Sequence, residues 1–283
     1  MESRLKKVLL RSKTIHRIRL ILAQIPKTVR GFFVPDHSRD MQRVQLMHSD
    51  VIRLTFKPKA TLRVKTDYPI AYESDDHKFP AGSMQDNTRS PRFVRACERY
   101  FGRKLKVADL GCSGGGLVLD FLLEGHDAYG VEGSDFSQKT ARAEWRTIPN
   151  HLFTADIAKP FAFIDEANKP AQLDLITAWE VLEHLEEPQL EKLFQNIKNN
   201  LNQDGVFMGS VACFESLDPL QGAIYHKTVQ PKNWWLNFVQ KQGFEVLDVP
   251  FVNKDFPRGP GIDWDPARLP DNGFHLVCKP RSA

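Results

Sequence analysis

The chain has no uninterrupted apolar run long enough to cross a bilayer as a helix, so no helical membrane span is expected in it. Cysteine is scarce. The four thiols, Cys97, Cys112, Cys213 and Cys278, form no CxxC pair and have no companion histidine at metal-ligand spacing. Neither a disulfide framework nor a metal site is therefore expected, and reduced structural thiols in a cytoplasmic protein are the simplest reading. An excess of one charge sign is lacking as well. With 39 Lys and Arg against 35 Asp and Glu, the net charge of +4 is too mild to argue for nucleic acid.

What is present is enough to build a core: 283 residues, 41% of them hydrophobic. The basic charge is unevenly placed, because residues 1–34 hold nine Lys or Arg and one acid, Glu2, which leaves the remainder slightly acidic. From Ser3 to Gln24, Leu5, Val8, Leu9, Ile15, Ile18 and Leu22 recur at roughly helical spacing among basic residues, and Pro26 ends the pattern. Such a helix over residues 1–26 can lie on an anionic membrane surface, enter a partner's groove, act as an import presequence, or pack on the core with a solvated basic face. Residues 31–47 read as an irregular connector. Two alternating segments, VIRLTF and TLRVKT, lie within Val51 to Val64 and suggest a hairpin. Residues 1–66 are thus expected to form a basic N-terminal extension, and residues 67–283 one α/β domain.

The domain is organised around Lys106 to Glu132. A short apolar strand, residues 105–110, runs into the glycine-rich turn Gly111-Cys112-Ser113-Gly114-Gly115-Gly116, where missing side chains let a ligand lie against backbone. An apolar helix over 117–123 follows, with Gly125 as its cap, and a second strand, 128–131, carries Glu132 to its carboxyl end. In doubly wound sheets that edge binds ligands. Ahead of this unit, residues 67–89 form a long polar and aromatic loop, lid-like in composition, and Ser90-Pro91 starts a helix that Gly102 ends. After it the spacing predicts a helix from about Ser134 to Trp145 and strands at 151–156, 173–179, 206–212, 244–251 and 274–280. Helices are expected from Pro188 to Leu201 and over 233–242, with Trp234 and Trp235 packing the second of these on the sheet. This alternation implies a largely parallel sheet covered on both faces.

Backbone amides at a helix start favour an anion or carboxylate, and an acid about twenty residues further on favours ribose hydroxyls. The dinucleotide fingerprint G-x-G-x-x-G is absent in that register. Asp109, just before the turn, would repel a pyrophosphate but could meet a cationic ligand. Taken with GVEGSD at 130–135, TAD at 154–156 and ITAWEVLEHL at 176–185, the DLGCSGGG turn resembles that of the class I S-adenosylmethionine-dependent methyltransferases. The likeness covers residues 88–279. EVLEH resembles the small-molecule and sugar members, and FPAGSMQDNTRSPRFVRACERYFG with YHKTVQPKNWW resembles a subgroup associated with bacterial glycan or cell-surface genes. Ser113 departs from the pattern, standing where many members have glycine.

That resemblance implies a doubly wound, Rossmann-like sheet of seven strands, mostly parallel with an antiparallel C-terminal strand, and S-adenosylmethionine as cofactor. It implies that Gly111, Ser113 and Gly115 let backbone approach the cofactor, with Asp109 near its amino-acid end. Glu132 and Gly133 would lie at the ribose, Asp156 and the Ile157 amide at the adenine, and Trp179 at the border. His226, in the loop after the fifth strand, and His184, in EVLEH, are the candidate general bases. The stretch QDN, residues 85–87, could form a lid with its neighbours, and His77, Gln85, Asn87 and Arg89 are the candidate lid or substrate residues. The expected reaction is O-methylation of a sugar, glycan precursor or other small-molecule hydroxyl. Nucleic acid is disfavoured as acceptor by the missing N-P-P-Y type tetrad. The alternative from another class is a non-catalytic scaffold that uses the basic helix to bind a partner.

Overall fold

The computed structural model describes residues 56–218, 222–258, 265 and 268–281. The chain divides into two units, residues 1–51 and 52–283, and the described residues all belong to the second. The expected basic helix lies outside the described residues, as do the connector and residues 51–55 of the expected hairpin.

The first described strand, β1 (Leu62–Thr66), pairs antiparallel with β5 (Phe161–Asp165), in register from Leu62 opposite Asp165 to Thr66 opposite Phe161. Among the described residues its partner is therefore a strand a hundred residues on rather than the arm of a hairpin. Residues 67–89, expected as a loop, hold two short helices, α1 (Asp75–Lys78) and α2 (Ala81–Gln85). Helix α3 (Pro91–Phe101) starts with proline in its first turn and stops at Gly102, whose φ of 68° is the left-handed conformation favoured at a helix end.

The central βαβ unit is β2 (Lys106–Leu110), α4 (Gly116–Leu123) and β3 (Asp127–Glu132). The expected helix from Ser134 to Trp145 is instead broken into α5 (Phe136–Lys139) and a short turn at Ala143–Arg146, with Ala141 between them and Ala143 at the start of the turn, at φ 48° and 46°. Then come β4 (Leu152–Thr154), β5, β6 (Leu173–Trp179), α6 (Glu187–Asn200) and β7 (Leu201–Ala212). After the small pair β8 (Leu217–Asp218) and β9 (Ala223–Ile224), the chain forms α7 (Lys232–Lys241), β10 (Phe244–Val246) and β11 (Gly273–Pro280). Residues 247–251, expected to extend the strand, lie outside it.

Seven strands form one sheet in the order β10-β11-β7-β6-β2-β3-β4. Strands β7, β6, β2, β3 and β4 are mutually parallel, and β11 runs antiparallel to both of its neighbours. The order doubles back between β2 and β6, which makes their carboxyl ends the switch point where such sheets bind ligands. Alternate residues feed two cores. Val107 and Leu175 face the cluster built by α3 and α4, and Ala108 and Ile176 face the cluster built by α6 and α7. Coverage on both sides explains why every residue of β6 is buried. Trp235 is fully buried and packs α7 on the sheet, as expected.

Candidate functional site

A cavity of about 560 Å³ opens at the switch point. Its floor is the turn between β2 and α4. Gly111 and Cys112 both donate backbone N–H bonds to the Val131 carbonyl, at 2.7 and 3.2 Å, which ties the turn to β3. Gly111 has a φ of 74°, and a Cβ there would come within 2.4 Å of Val181 Cγ2, so both conformation and space require glycine. Ser113 also has positive φ, 45°. Its amide donates to Glu132 Oε2 at 2.7 Å, and Trp145 Nε1 donates to its carbonyl at 2.7 Å. The serine that departs from the family pattern has its own use for the hydroxyl, which donates to the Gly82 and Asp86 carbonyls at 3.2 and 3.0 Å.

Three acids reach this cavity from consecutive parallel strand ends. Asp109 of β2 is buried, accepts from Thr177 Oγ1 at 2.7 Å, and has its carboxyl pushed up to about 7. Burial is the main cause, and the Thr177 bond opposes it. Glu132 of β3 is also raised by burial, held against that by the Ser113 and Ser134 amides and the Ser83 hydroxyl. Asp156, just beyond β4, caps the Ala158 amide with Oδ1 at 2.9 Å, while nothing among the described residues accepts from the next amide, Ile157. Trp179, at the end of β6, lines the wall with a buried indole N–H that has no partner among the described residues.

The segment 67–89 covers the cavity, through Asp86 of the expected stretch 85–87 and through residues other than the four singled out in it. Ser83 donates to Glu132 Oε1 at 3.1 Å, and Asp86 accepts from Arg258 Nη2 at 2.7 Å, both residues lining the cavity. Of the four expected there, none lines it. His77 stacks edge-on against Tyr72 with ring centres 5.3 Å apart. Gln85 is exposed. Asn87 donates to Glu144 Oε1 at 3.3 Å and packs where Gly114 has no side chain. Arg89 grips the buried Asp120 through Nε and Nη2, at 2.8 and 2.5 Å. These four act beneath or beside the lid, because the lid's short helices turn Ser83 and Asp86 inward. A loop without periodicity gives no sign of that turn.

At the other end of the cavity stand the EVLEH residues. Glu180, at φ 57°, accepts from Ser210 Oγ at 2.6 Å. His184 lines the cavity and bonds through Nδ1 to Asp76 Oδ2 at 2.8 Å. Burial lowers its basicity, but the Asp76 bond and the charges of Asp76, Glu183 and Glu180 outweigh burial and hold the imidazole above its ordinary value. His226 lies in an adjoining cavity of about 540 Å³, its Nδ1 bonded to the Phe214 carbonyl at 2.6 Å and its ring centre 5.0 Å from that of His184. Burial, aided by His184, holds its basicity below the usual value. Glu183, which sequence reasoning passed over, is fully buried next to His184, and burial and the Glu180 charge push it up to about 8. Its adjacency to His184 was the available signal.

The structure therefore brings together Asp109, Gly111, Ser113, Glu132, Gly133, Asp156, Ile157, Trp179 and His184 around one cavity. Gly115 lies just below it, at φ 84°, where a Cβ would meet Leu152 Cδ1 at 2.7 Å.

The family model for a methyltransferase domain matches residues 84–251. No curated protein matches. Among solved structures, the glycopeptide N-methyltransferase MtfA complexed with sinefungin is 14% identical, over 68% of this chain and 94% of that one, with a TM-score of 0.45. A TehB-like SAM-dependent methyltransferase from Corynebacterium glutamicum is 17% identical, over 72% and 95%, with a TM-score of 0.46. The 1,6-didemethyltoxoflavin-N1-methyltransferase of Burkholderia thailandensis, with bound 1,6-didemethyltoxoflavin and S-adenosylhomocysteine, is 15% identical, over 73% and 84%, with a TM-score of 0.47.

Proposed function

We propose a function from one premise: the chain belongs to the family of methyltransferase domains. It is an enzyme that takes S-adenosylmethionine as methyl donor and methylates a hydroxyl of a sugar, a glycan precursor or another small molecule in the cytoplasm. The observation that carries the cofactor is the convergence of Asp109, Glu132 and Asp156 from three neighbouring strand ends on one cavity.

The residues present fit that cofactor. The cavity's volume of about 560 Å³ is within the range of cofactor sites. Glu132 has three hydrogen bonds, from the Ser113 and Ser134 amides and the Ser83 hydroxyl, and a ribose hydroxyl can displace the lid serine from Oε1. The Ile157 amide and the Asp156 carboxylate are suited to an adenine edge, and the Trp179 indole N–H, unpartnered among the described residues like the Ile157 amide, is suited to a polar ligand atom. Asp109 is costly as a buried anion by itself, and a cationic amino group beside it restores its charge.

When bound, S-adenosylmethionine would supply an activated sulfonium methyl for transfer to the acceptor oxygen, with the hydroxyl proton left to be removed. This chain's residues contribute chiefly by alignment, which can supply roughly 7 to 11 kcal/mol. Proton removal falls to the His184 and His226 end. His226 donates from Nδ1 to the Phe214 carbonyl and is held neutral, which leaves its Nε2 lone pair able to take the proton, a contribution of roughly 100- to 10,000-fold.

The test is transfer of labelled methyl from S-adenosylmethionine to a panel of cell-envelope glycans and nucleotide sugars. Label on an oxygen of one acceptor is the expected result. S-adenosylhomocysteine binding with no transfer to any hydroxyl compound would favour the scaffold alternative. For residues 1–26 we propose contact with an anionic membrane surface, supported by the basic amphipathic pattern. No helix of the described residues is long and apolar enough to cross a membrane. Liposome flotation that is lost on deleting residues 1–26 is expected, and equal flotation of both forms would remove the proposal.

A further inference from the structure

Glu183 poses a problem that the methyl-transfer reading leaves unsolved. It lies in the short turn Leu182–His184 and its side chain is 0% exposed. Oε1 accepts from the Ala212 amide at 3.2 Å, but Oε2 is buried without a hydrogen-bond partner among the described residues. A buried carboxylate oxygen without a donor is costly, and one is retained where something else satisfies it.

The surroundings show what could. The Glu183 carbonyl accepts from the Lys227 and Thr228 amides, at 2.7 and 3.0 Å, which fixes the segment bearing His226 against the segment bearing Glu183 and His184. Both imidazoles are oriented through Nδ1, His184 by the Asp76 carboxylate and His226 by the Phe214 carbonyl. Each ring therefore has Nε2 left as its ligating atom. One ligand atom from each of Glu183, His184 and His226 lies within 4.8 Å of the other two.

We infer that Glu183, His184 and His226 form a site for one divalent first-row transition-metal cation, of the zinc, manganese or cobalt type, between the cofactor cavity and the cavity that His226 lines. Two imidazoles and one carboxylate are a donor set for such ions. Calcium and magnesium prefer oxygen ligands alone. Around an ion about 2.1 Å from each donor, the donors stand roughly 3.4 Å apart, so the triad, now within 4.8 Å, closes around the ion as it binds. The outer shell is already built: a carboxylate on one ligating histidine and a backbone carbonyl on the other are the partners that set tautomer and ring orientation in metal sites.

Three protein ligands leave positions open toward the two cavities. The role of those positions, though not the binding itself, rests on the hydroxyl-acceptor reading. A cation there holds the acceptor hydroxyl and lowers its pKa, so that the proton passes to water. A ligated His226 has no lone pair left to take that proton, and the cation then replaces the imidazole as the activating group.

The experiment uses the full chain after chelation and dialysis. Zn²⁺, Mn²⁺ and Co²⁺ are titrated calorimetrically, the visible spectrum of the Co²⁺ form is recorded, and S-adenosylhomocysteine binding is measured on the same sample by thermal shift. One cation per chain is expected, with affinity reduced about 10- to 100-fold or more in Glu183→Gln and in His226→Asn while each variant still binds S-adenosylhomocysteine. Absence of stoichiometric binding of all three ions to wild-type protein that binds S-adenosylhomocysteine overturns the site. So does unchanged affinity in both variants. Stoichiometric cation binding without S-adenosylhomocysteine binding would uphold the site and sink the methyltransferase reading instead.

Discussion

The hydroxyl of Ser83 donates to Glu132 Oε1 at 3.1 Å, so the lid residue occupies the same carboxylate that the proposed function assigns to the cofactor ribose. The two interactions compete for one oxygen. Removing the lid hydroxyl takes away a competitor, while removing the carboxylate takes away the acceptor for both. Ser83→Ala is expected to leave S-adenosylhomocysteine affinity within about threefold of wild type or to raise it. Glu132→Ala is expected to weaken it at least 10-fold, because a hydrogen bond to a charged group contributes about 1.5 to 3 kcal/mol. Calorimetric titration of both variants checks this, and equal losses in the two would show that Ser83 assists binding rather than competing.

Asp109 links the same cavity to stability. Its carboxyl is about 7 when folded, raised first by burial and further by Asp86 and Glu132, against the pull of Thr177 and Arg258, whereas an unfolded Asp sits near 3.9. The folded chain thus holds this proton more tightly than the unfolded chain. The group's contribution to stability is complete below about pH 4, is lost as pH rises through about 7, and stays constant above. An asparagine in its place would keep an oxygen for Thr177 and never ionise. Asp109→Asn is therefore expected to gain stability over wild type progressively from pH 4 to 7, reaching a few kcal/mol at pH 8, while binding S-adenosylhomocysteine more weakly. Denaturant unfolding across pH measures it, and a stability difference independent of pH would disprove the assignment.

The turn tests how much of its glycine content is steric. Alanine in place of Gly111 must adopt a φ of 74° and place its Cβ 2.4 Å from Val181 Cγ2. The first costs about 1 to 2 kcal/mol and the second about 1 to 3. In Gly111→Ala/Val181→Ala the nearest remaining Val181 atom, Cβ, is at 3.7 Å, an ordinary contact. The double variant should recover the steric part and keep the conformational part. A double-mutant cycle in unfolding free energy with no coupling would mean that the backbone shifts to relieve the clash.

How far the sequence could be read depends on the range of the interactions involved. The βαβ unit was legible because its signals are local: an apolar strand, a run of glycines, and Glu132 at the next strand end. The same holds for α3, where Ser90-Pro91 and Gly102 mark both ends. The partner of β1 was not legible, since Leu62–Thr66 alternates well enough for a hairpin and its pairing with Phe161–Asp165 depends on tertiary placement. The helix expected to reach Trp145 breaks at Ala141 and Ala143, two residues with good helix propensity held at positive φ, so local preference pointed the wrong way. At the site, Glu132 could be read from its spacing after the glycine turn, and Asp156 from the resemblance of TAD at 154–156. Ser83 could not, because it reaches the cavity from a short helix in a stretch without periodicity, and Glu183 was marked only by its place next to His184.

Arg89 illustrates the difference between a residue near a lid and a residue of the site. Its guanidinium bonds Asp120 Oδ1 through Nε and Nη2, and the Ser90 amide donates to Oδ2 of the same carboxylate, which is 3% exposed. The pair joins the start of α3 to α4, directly under the glycine turn. Removing the guanidinium leaves a buried carboxylate with one amide for company, and breaking such a pair costs about 3 to 5 kcal/mol when both partners are buried. Arg89 is 30% exposed, so roughly 2 to 4 kcal/mol is expected for Arg89→Ala. Asp120→Asn, which removes the charge and keeps an acceptor oxygen, should cost less and should partly relieve Arg89→Ala when the two are combined. In each variant that folds, the KM for S-adenosylmethionine should stay within about threefold of wild type, because neither residue lines the cavity. A large rise in KM with no loss of unfolding free energy would return Arg89 to the substrate side of the lid.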